Sequence, residues 1–156
     1  MQVHTLGSDS FYEEEYSLIG IHTTLEDYKL AYLLNKNLQT RFCKSEKKLD
    51  YKKKKNKACF SIYNYSNAMN DFDWYLIANS FRRENLTKSN ELLLTTEIKT
   101  YLIPEKKKVD FFIKISGFVN DSFIIKTLQK INQIENVITS YSIDKNNLKS
   151  KYFLIF

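Results

Sequence analysis

Residues 109–143 read VDFFIKISGFVNDSFIIKTLQKINQIENVITSYSI, and they decide the fold of this chain of 156 residues. Every second residue from Val109 to Ile115 is apolar, the period that predicts a half-buried strand with one core face. Residues 137–143 alternate again, so they predict a second strand. Between them lies a stretch with the spacing of one helical face: Ile124, Leu128 and Ile131. Asn120, Asp121 or Ser122 could cap that helix, because these side chains accept hydrogen bonds from first-turn amides.

Strand, helix and strand over residues 109–143 resemble half of a ferredoxin-like or ACT-like unit, in which the helix packs across the sheet. Towards the amino end, residues 16–21 predict a strand and residues 24–38 a helix with apolar residues at helical spacing. Thr23 and Glu26 have the spacing of a capping box at the start of that helix.

Further strands are predicted around turns. Residues 58–80 indicate a hairpin with a connection near 66–73, residues 85–90 a polar loop, and residues 98–116 a second hairpin that turns at Pro104 to Lys108. We therefore expect one α+β domain spanning residues 1–156. Its mostly antiparallel sheet would have about five to seven strands, with two main helices on one face.

The positive charge is concentrated in one segment. Residues 41–57, RFCKSEKKLDYKKKKNK, contain nine of the 24 Lys and Arg residues and two of the 18 Asp and Glu residues. We expect residues 44–57 to form a basic exposed loop, the usual structure of a run of like charges. The alternative is a phosphate or RNA contact, formed by Arg41, Lys44, Lys47, Lys48, Lys52, Lys53, Lys54, Lys55 and Lys57.

Residues that could carry catalysis are few and scattered. The sequence contains no GxGxxG, GxxxxGK[ST], GxSxG or HExxH motif, and His4, His22, Cys43 and Cys59 have no ligand spacing. We expect two free thiols and a structural His22 at a strand end. No catalytic residue, metal site or cofactor is predicted, and we do not expect an enzyme.

The chain has no sequence feature of a membrane protein. No window approaches the roughly 18 consecutive apolar residues that a spanning helix needs. The first ten residues lack the basic start and apolar run of a signal peptide. We therefore expect a soluble cytoplasmic protein with no membrane partner.

The last residues form an unusual apolar end: Tyr152, Phe153, Leu154, Ile155 and Phe156. Because exposed apolar patches are usually avoided, this end should pack on the core, pair as a last strand or dock on a partner. An acidic segment, Glu13 to Glu15, is a second feature that a protein partner could contact.

One motif resembles a known family. The residues concerned are Ile103, Pro104, Glu105, Val109, Asp110 and Phe111, within IPEKKKVDF. They look like the motif of the IPExxxVDY family, small bacterial proteins of unassigned function, with Phe111 in place of Tyr. Residues 17–38 and 138–156 also resemble that family. The resemblance implies a single-domain bacterial cytoplasmic protein, and it supplies no catalytic or binding residue that can be transferred to this chain. Physically, the motif is explained by a turn and by core positions.

These observations leave three functional hypotheses. The leading one is a non-enzymatic interaction protein with an unknown protein partner, acting through the apolar end and the acidic segment. The second is an accessory protein that binds RNA or a ribonucleoprotein through residues 41–57. The third is an ACT-like module for sensing small molecules, typically a homodimer, which rests on fold analogy.

Overall fold

The computed structural model describes residues 14–47, 49–53, 56–67, 69, 72–89 and 92–156; for 49–53, 56–57, 85–89 and 92–94 it describes the backbone. The α-helices are α1 (Asp27–Leu38) and α2 (Asp121–Asn132). The strands are β1 (Tyr16–Thr23), β2 (Cys43–Lys44), β3 (Leu49–Lys53), β4 (Asn56–Phe60), β5 (Ile62–Asn67), β6 (Phe72–Ala78), β7 (Ser80–Ser89), β8 (Leu92–Tyr101), β9 (Phe111–Ser116) and β10 (Val137–Ile143). Short 3-10 helices lie at Pro104–Lys106, Lys145–Asn147 and Lys151–Leu154.

The main sheet has six strands in the order β10-β1-β9-β6-β5-β2, and every neighbouring pair is antiparallel. Since β9 and β10 both run against β1, they are parallel to each other and α2 connects them across it. β1 and β6 flank β9 in the same way, and α1 lies between them in the chain. The order β10-β1-β9-β6 is thus the ferredoxin-like split arrangement. The predicted α+β fold is confirmed.

Both helices cover one face of this sheet, as the sequence predicted. Leu30 and Leu34 of α1 and Ile131 of α2 are fully buried against side chains of β1, β6 and β9. Asn120 caps α2, because its side chain accepts a hydrogen bond from the Phe123 amide at 2.8 Å. The helical layer therefore follows directly from the apolar spacing of the two helices.

The opposite face is also buried, which differs from the half-buried strand that the alternation predicted. Phe112 and Lys114 of β9 are both 0% exposed, so this strand is covered on its two faces. The cover includes the turn around Ile103 and Val109 and the C-terminal residues Leu148 and Leu154. Gly20 of β1 fits here because an added Cβ would lie 2.7 Å from Ile143 Cδ1 and 3.3 Å from Val109 Cγ2.

Strand pairing corrects two predictions. Residues 98–103 do not form a hairpin with residues 109–116: β8 pairs with β7, and β9 lies between β1 and β6. The predicted polar loop at 85–90 is largely strand, since β7 extends to Ser89. The hairpin expected within 58–80 is present as β5 and β6, but residues 58–60 belong to β4.

The segment predicted as a basic exposed loop, 44–57, also contains regular structure. Its strands β3 and β4 pair residues 49–53 with residues 56–60 and form a separate two-stranded sheet. A ladder of backbone hydrogen bonds therefore offsets the repulsion that favoured a loop. Residues 48, 54 and 55 lie outside the described part of the chain.

The capping box predicted at the start of α1 is wrong. Glu26 occupies the N-cap position without a side-chain cap hydrogen bond, and the helix begins at Asp27. The Thr23 hydroxyl instead accepts a hydrogen bond from the Leu25 amide at 3.1 Å and donates one to the Asn136 carbonyl at 2.7 Å. Thr23 therefore fixes the turn between β1 and α1 against the start of β10.

Candidate functional site

A buried asparagine organises the turn that contains the family-like motif. The Asn79 side chain is 0% exposed and lies between β6 and β7. Its Nδ2 donates to the Lys106 carbonyl at 2.9 Å and to the Val109 carbonyl at 2.8 Å, and its Oδ1 accepts from the Ile103 amide at 2.9 Å. One side chain therefore holds both ends of the turn. The sequence gives a weak signal for this role, a single Asn that follows the apolar residues of β6.

The apolar motif residues have structural places. Ile103, Val109 and Phe111 are buried, and Pro104 begins the 3-10 helix at Pro104–Lys106. These positions agree with the interpretation of the motif as a turn with core residues.

The two carboxylates of the motif bind other parts of the chain. Asp110 Oδ2 accepts a hydrogen bond from the Thr23 amide at 2.9 Å. Glu105 accepts from the Ser150 amide at 2.7 Å and from the Ser150 hydroxyl at 2.9 Å. Burial alone would raise the pKa of Glu105, but hydrogen bonds from Ser150, from its own amide and from the Lys149 backbone outweigh it and lower that pKa. The motif turn is therefore tied to the C-terminal segment.

The apolar C-terminal end is partly internal. Leu154 is fully buried in the core of the second sheet face, whereas Tyr152, Ile155 and Phe156 remain exposed. The Phe156 ring meets the Tyr75 ring edge-on, with centroids 5.0 Å apart. Leu154 therefore packs on the core, which is one of the three arrangements expected for this end, and the Phe156 ring packs against Tyr75.

Lys114 joins both ends of the described chain beneath this segment. Its Nζ donates to the Glu14 carboxylate at 2.9 and 3.0 Å and to the Leu154 carbonyl at 2.8 Å. The same ammonium lies 4.8 Å from the centroid of the Phe156 ring and 5.0 Å from that of Tyr16. Glu14, from the acidic segment predicted to contact a partner, is thus engaged internally; Glu13 lies outside the described residues.

The predicted phosphate contacts divide into three groups. Arg41, Lys44 and Lys47 are exposed, and Lys44 lies 3.9 Å from the Asp27 carboxylate. Lys52, Lys53 and Lys57 have described backbone on β3 and β4. Lys48, Lys54 and Lys55 are outside the described residues. The six described positions all lie on or beside the segment from β2 to β4.

The reactive side chains that the structure describes do not converge, and His4 lies outside the described residues. His22 Nε2 lies 3.2 Å from the Tyr141 hydroxyl, and the two rings stack. Cys43 and Cys59 are not joined in a disulfide. Among the residues that the structure describes, no cluster of three or more His, Cys, Asp or Glu side chains could hold a metal ion.

The outer face of α1 carries an open apolar surface with a shallow depression. Tyr28 is 58% exposed and Tyr32, one helical turn further on, is 67% exposed. With Leu25, Lys29 and Leu33 they line a shallow depression of about 440 Å³. Such a surface can bury apolar side chains while leaving the tyrosine hydroxyls available for hydrogen bonds.

A polar cleft of about 460 Å³ continues this surface past the amino end of α1. Leu25 lines both spaces, and the cleft adds Glu26 and Asp27 on one wall and Arg82 and Lys99 on the other. Burial, then the charge of Asp27 and a hydrogen bond to it, raise the pKa of the neighbouring Tyr63, so its phenol stays protonated. The combined surface therefore places an apolar depression beside charges of both signs.

A scan against protein-family models finds no match, and searches of the curated proteins and of the solved structures find none either. No helix in the described part of the chain is long and apolar enough to cross a membrane. The fold and its surfaces define an α+β domain of ferredoxin-like topology with an aromatic, partly apolar outer face on α1.

Proposed function

We propose that this chain is a non-enzymatic protein-interaction module that binds a partner protein across the outer face of α1. The observation that carries the proposal is the exposed pair Tyr28 and Tyr32, 58% and 67% exposed and one turn apart. The partner would present an apolar side chain to the depression and polar or charged groups to the cleft beside Leu25.

The division of labour within α1 supports this surface. Leu30, Ala31 and Leu34 already fill the core on the inner face, so the helix does not need Tyr28 or Tyr32 for folding. Tyrosine is enriched in the centres of protein interfaces because it buries a large rigid area and keeps a hydroxyl for hydrogen bonds. Arg82 in the adjoining cleft belongs to another residue type that is enriched there.

The proposal moves the interaction surface away from the two segments that the sequence indicated. Glu14 pairs with Lys114, and Leu154 is buried, so both segments have internal contacts. The two carboxylates of the motif turn also have structural partners: Glu105 binds Ser150, and Asp110 binds the Thr23 amide. These contacts give the motif a structural role. The small-molecule sensing hypothesis rests on topology, which does not define function.

We also propose that the chain belongs to the IPExxxVDY family and acts in the cytoplasm of a bacterium. The support is the motif from Ile103 to Phe111 and the resemblance at residues 17–38 and 138–156. Phe111 occupies the position of Tyr in the motif, and its side chain packs in the core of the helical face.

Site-specific photocrosslinking tests the interaction surface. A photoreactive phenylalanine would replace Tyr28 or Tyr32 in the full chain, and the crosslinked products would be identified by mass spectrometry. We expect one defined partner at both positions, with a yield that nuclease does not change. Replacing the other tyrosine with serine should reduce the yield at least several-fold, since the two rings form one surface.

Phe118 provides the matched control, because it is 77% exposed and does not line the depression. The same photoreactive residue at position 118 should not capture the partner. Equal capture at positions 28, 32 and 118, or no defined product at 28 and 32, would contradict the proposal. A product of twice the chain mass would identify a second copy as the occupant and exclude a different partner protein.

A further inference from the structure

The segment 41–57 accounts for the entire net charge of the chain. It contains nine basic and two acidic residues, whereas the rest of the chain contains fifteen basic and sixteen acidic residues. A general bias of the sequence towards lysine would raise the positive charge throughout. The near-neutral remainder shows that the excess is local, so it requires a local explanation.

Part of this basic segment forms the paired strands β3 and β4. β3 and β4 pair in register, with Tyr51 opposite Ala58 and Lys52 opposite Lys57. Ala58 and Phe60 are 2% and 0% exposed, and the Phe60 ring meets the Phe81 ring edge-on. The carboxyl end of β4 is therefore fixed in the core. Lys57, at the other end of this strand, directly precedes the buried Ala58.

The register also brings like charges together. Lys52 and Lys57 occupy directly opposite positions, an arrangement that destabilises a hairpin unless a counter-charge lies nearby. Asp50 is opposite Cys59, which places this acidic position diagonal to Lys57 on the same face of the hairpin. The two opposite lysine positions outnumber this acidic position, and a bound polyanion would supply the further counter-charge.

We infer that the β3–β4 hairpin binds the phosphate backbone of a nucleic acid, without reading its sequence. The binding residues that the structure describes are Lys52, Lys53 and Lys57, with Arg41, Lys44 and Lys47 exposed on the approach to the hairpin. Lysine suits this role because each ammonium displaces condensed counterions from a phosphate. The hairpin has one aromatic residue within residues 49–57, Tyr51, so it lacks the row of stacking rings that single-strand binders use.

Fluorescence anisotropy with labelled 20-nucleotide probes tests the inference. The full chain would be titrated against duplex DNA, duplex RNA and single-stranded RNA of unrelated sequences, at several salt concentrations. We expect affinities that depend little on sequence and fall steeply with salt. The three probe types distinguish which nucleic acid supplies the phosphates.

Neutralising lysines of the hairpin should weaken binding, and the salt dependence of the affinity should show how many phosphate contacts are lost. The variant Lys52→Gln, Lys53→Gln, Lys57→Gln should lower affinity at least tenfold at low salt. Its slope of log affinity against log salt on duplex DNA should be smaller by about three, since each lost phosphate contact removes roughly one counterion. The matched control is Lys106→Gln, Lys107→Gln, Lys108→Gln, which removes the same charge from another turn.

The two variants must first show thermal unfolding like that of the unaltered chain. Equal losses in the two variants would mean a general charge effect and would overturn the inference, as would unchanged binding in the hairpin variant. Binding of an acidic protein but no nucleic acid would also overturn it. The α1 proposal is independent, because a Tyr28→Ser, Tyr32→Ser variant should retain nucleic-acid binding.

Discussion

Lys114 is the most unusual residue in the described part of the core. A buried ammonium is costly unless a counter-charge and hydrogen-bond acceptors replace its water, and here Glu14 and the Leu154 carbonyl do so. The rings of Tyr16, Tyr75 and Phe156 add favourable electrostatics through their faces. One side chain on the central strand thus connects residues near both ends of the chain.

Replacing Lys114 with Met keeps most of the side-chain volume and removes the charge. We expect the free energy of unfolding to fall by about 2 kcal/mol, because the buried Leu154 carbonyl loses its donor and Glu14 loses its partner. Urea denaturation would measure the change. Lys130→Met on the exposed side of α2 is the control and should change stability little. An unchanged Lys114→Met variant would show that the lysine does not hold the two segments.

The sequence could not have predicted Lys114 as a core residue. The alternation along β9 places it on the face opposite Ile113 and Ile115, and lysine is rarely buried, so solvent was the natural expectation. Its partner Glu14 is 100 residues away in the chain. Asn79 shows the same limit, since the carbonyl groups that it binds come together only after the motif turn has formed.

At the level of elements, β10 could pair with a strand of another chain, and the neighbouring helix α2 makes this pairing less favourable. It is an edge strand of the main sheet, and its sequence VITSYSI contains no charge and no proline to discourage pairing with another chain. Asn132 at the end of α2 binds the middle of this edge. Its Oδ1 accepts from the Ser140 amide at 2.7 Å and from the Ser140 hydroxyl at 3.0 Å.

Asn132→Ala should therefore promote self-association. The change leaves the Ser140 amide without its side-chain acceptor on an uncharged edge, where a second chain could supply a carbonyl. We expect the weight-average mass to rise with concentration in sedimentation equilibrium, together with a stability loss of about 1 kcal/mol. Gln129→Ala, an exposed change on the same helix, should do neither. An Asn132→Ala chain that associates no more than the control would show that other features protect the edge.

The elements were more predictable than their pairing. Period-two and helical spacing located β1, α1, β9, α2 and β10, because these patterns reflect burial along one element. Partners of a strand depend on distant segments, so the sequence wrongly paired residues 98–103 with 109–116. The basic segment was predicted as a loop from its charge, although its backbone forms the β3–β4 ladder.

At the scale of the whole molecule, the two proposed surfaces lie on different elements. Helical spacing explains why Tyr28 and Tyr32 lie outside the core stripe of α1. The adjoining cleft, however, needs the β7–β8 hairpin that the sequence did not predict. The motif turn has a structural role. It closes the second sheet face by holding the C-terminal segment through Glu105 and Ser150.

That closure makes stability depend on pH in a defined direction. Hydrogen bonds from Ser150 hold the pKa of Glu105 below its usual value of 4.5, despite the opposing effect of burial. A carboxyl whose pKa is lower in the folded state stabilises the fold above its unfolded pKa, and this contribution disappears as the pH falls through the folded pKa. Because Glu105 is exposed and solvent screens its interactions, Glu105→Gln should cost about 0.5 kcal/mol at pH 7, and the difference from the unaltered chain should shrink as the pH falls below 4.5.

Denaturation of both chains across this pH range would measure the difference. Glu135→Gln, an exposed substitution at the end of α2, is the control and should follow the unaltered chain at every pH. Ser150→Ala should reproduce part of the Glu105→Gln loss at pH 7, because it removes the hydroxyl donor and keeps the amide donor. A Glu105→Gln deficit that stays constant with pH would mean that packing, and not the charge-assisted hydrogen bonds, ties the C-terminal segment to the motif turn.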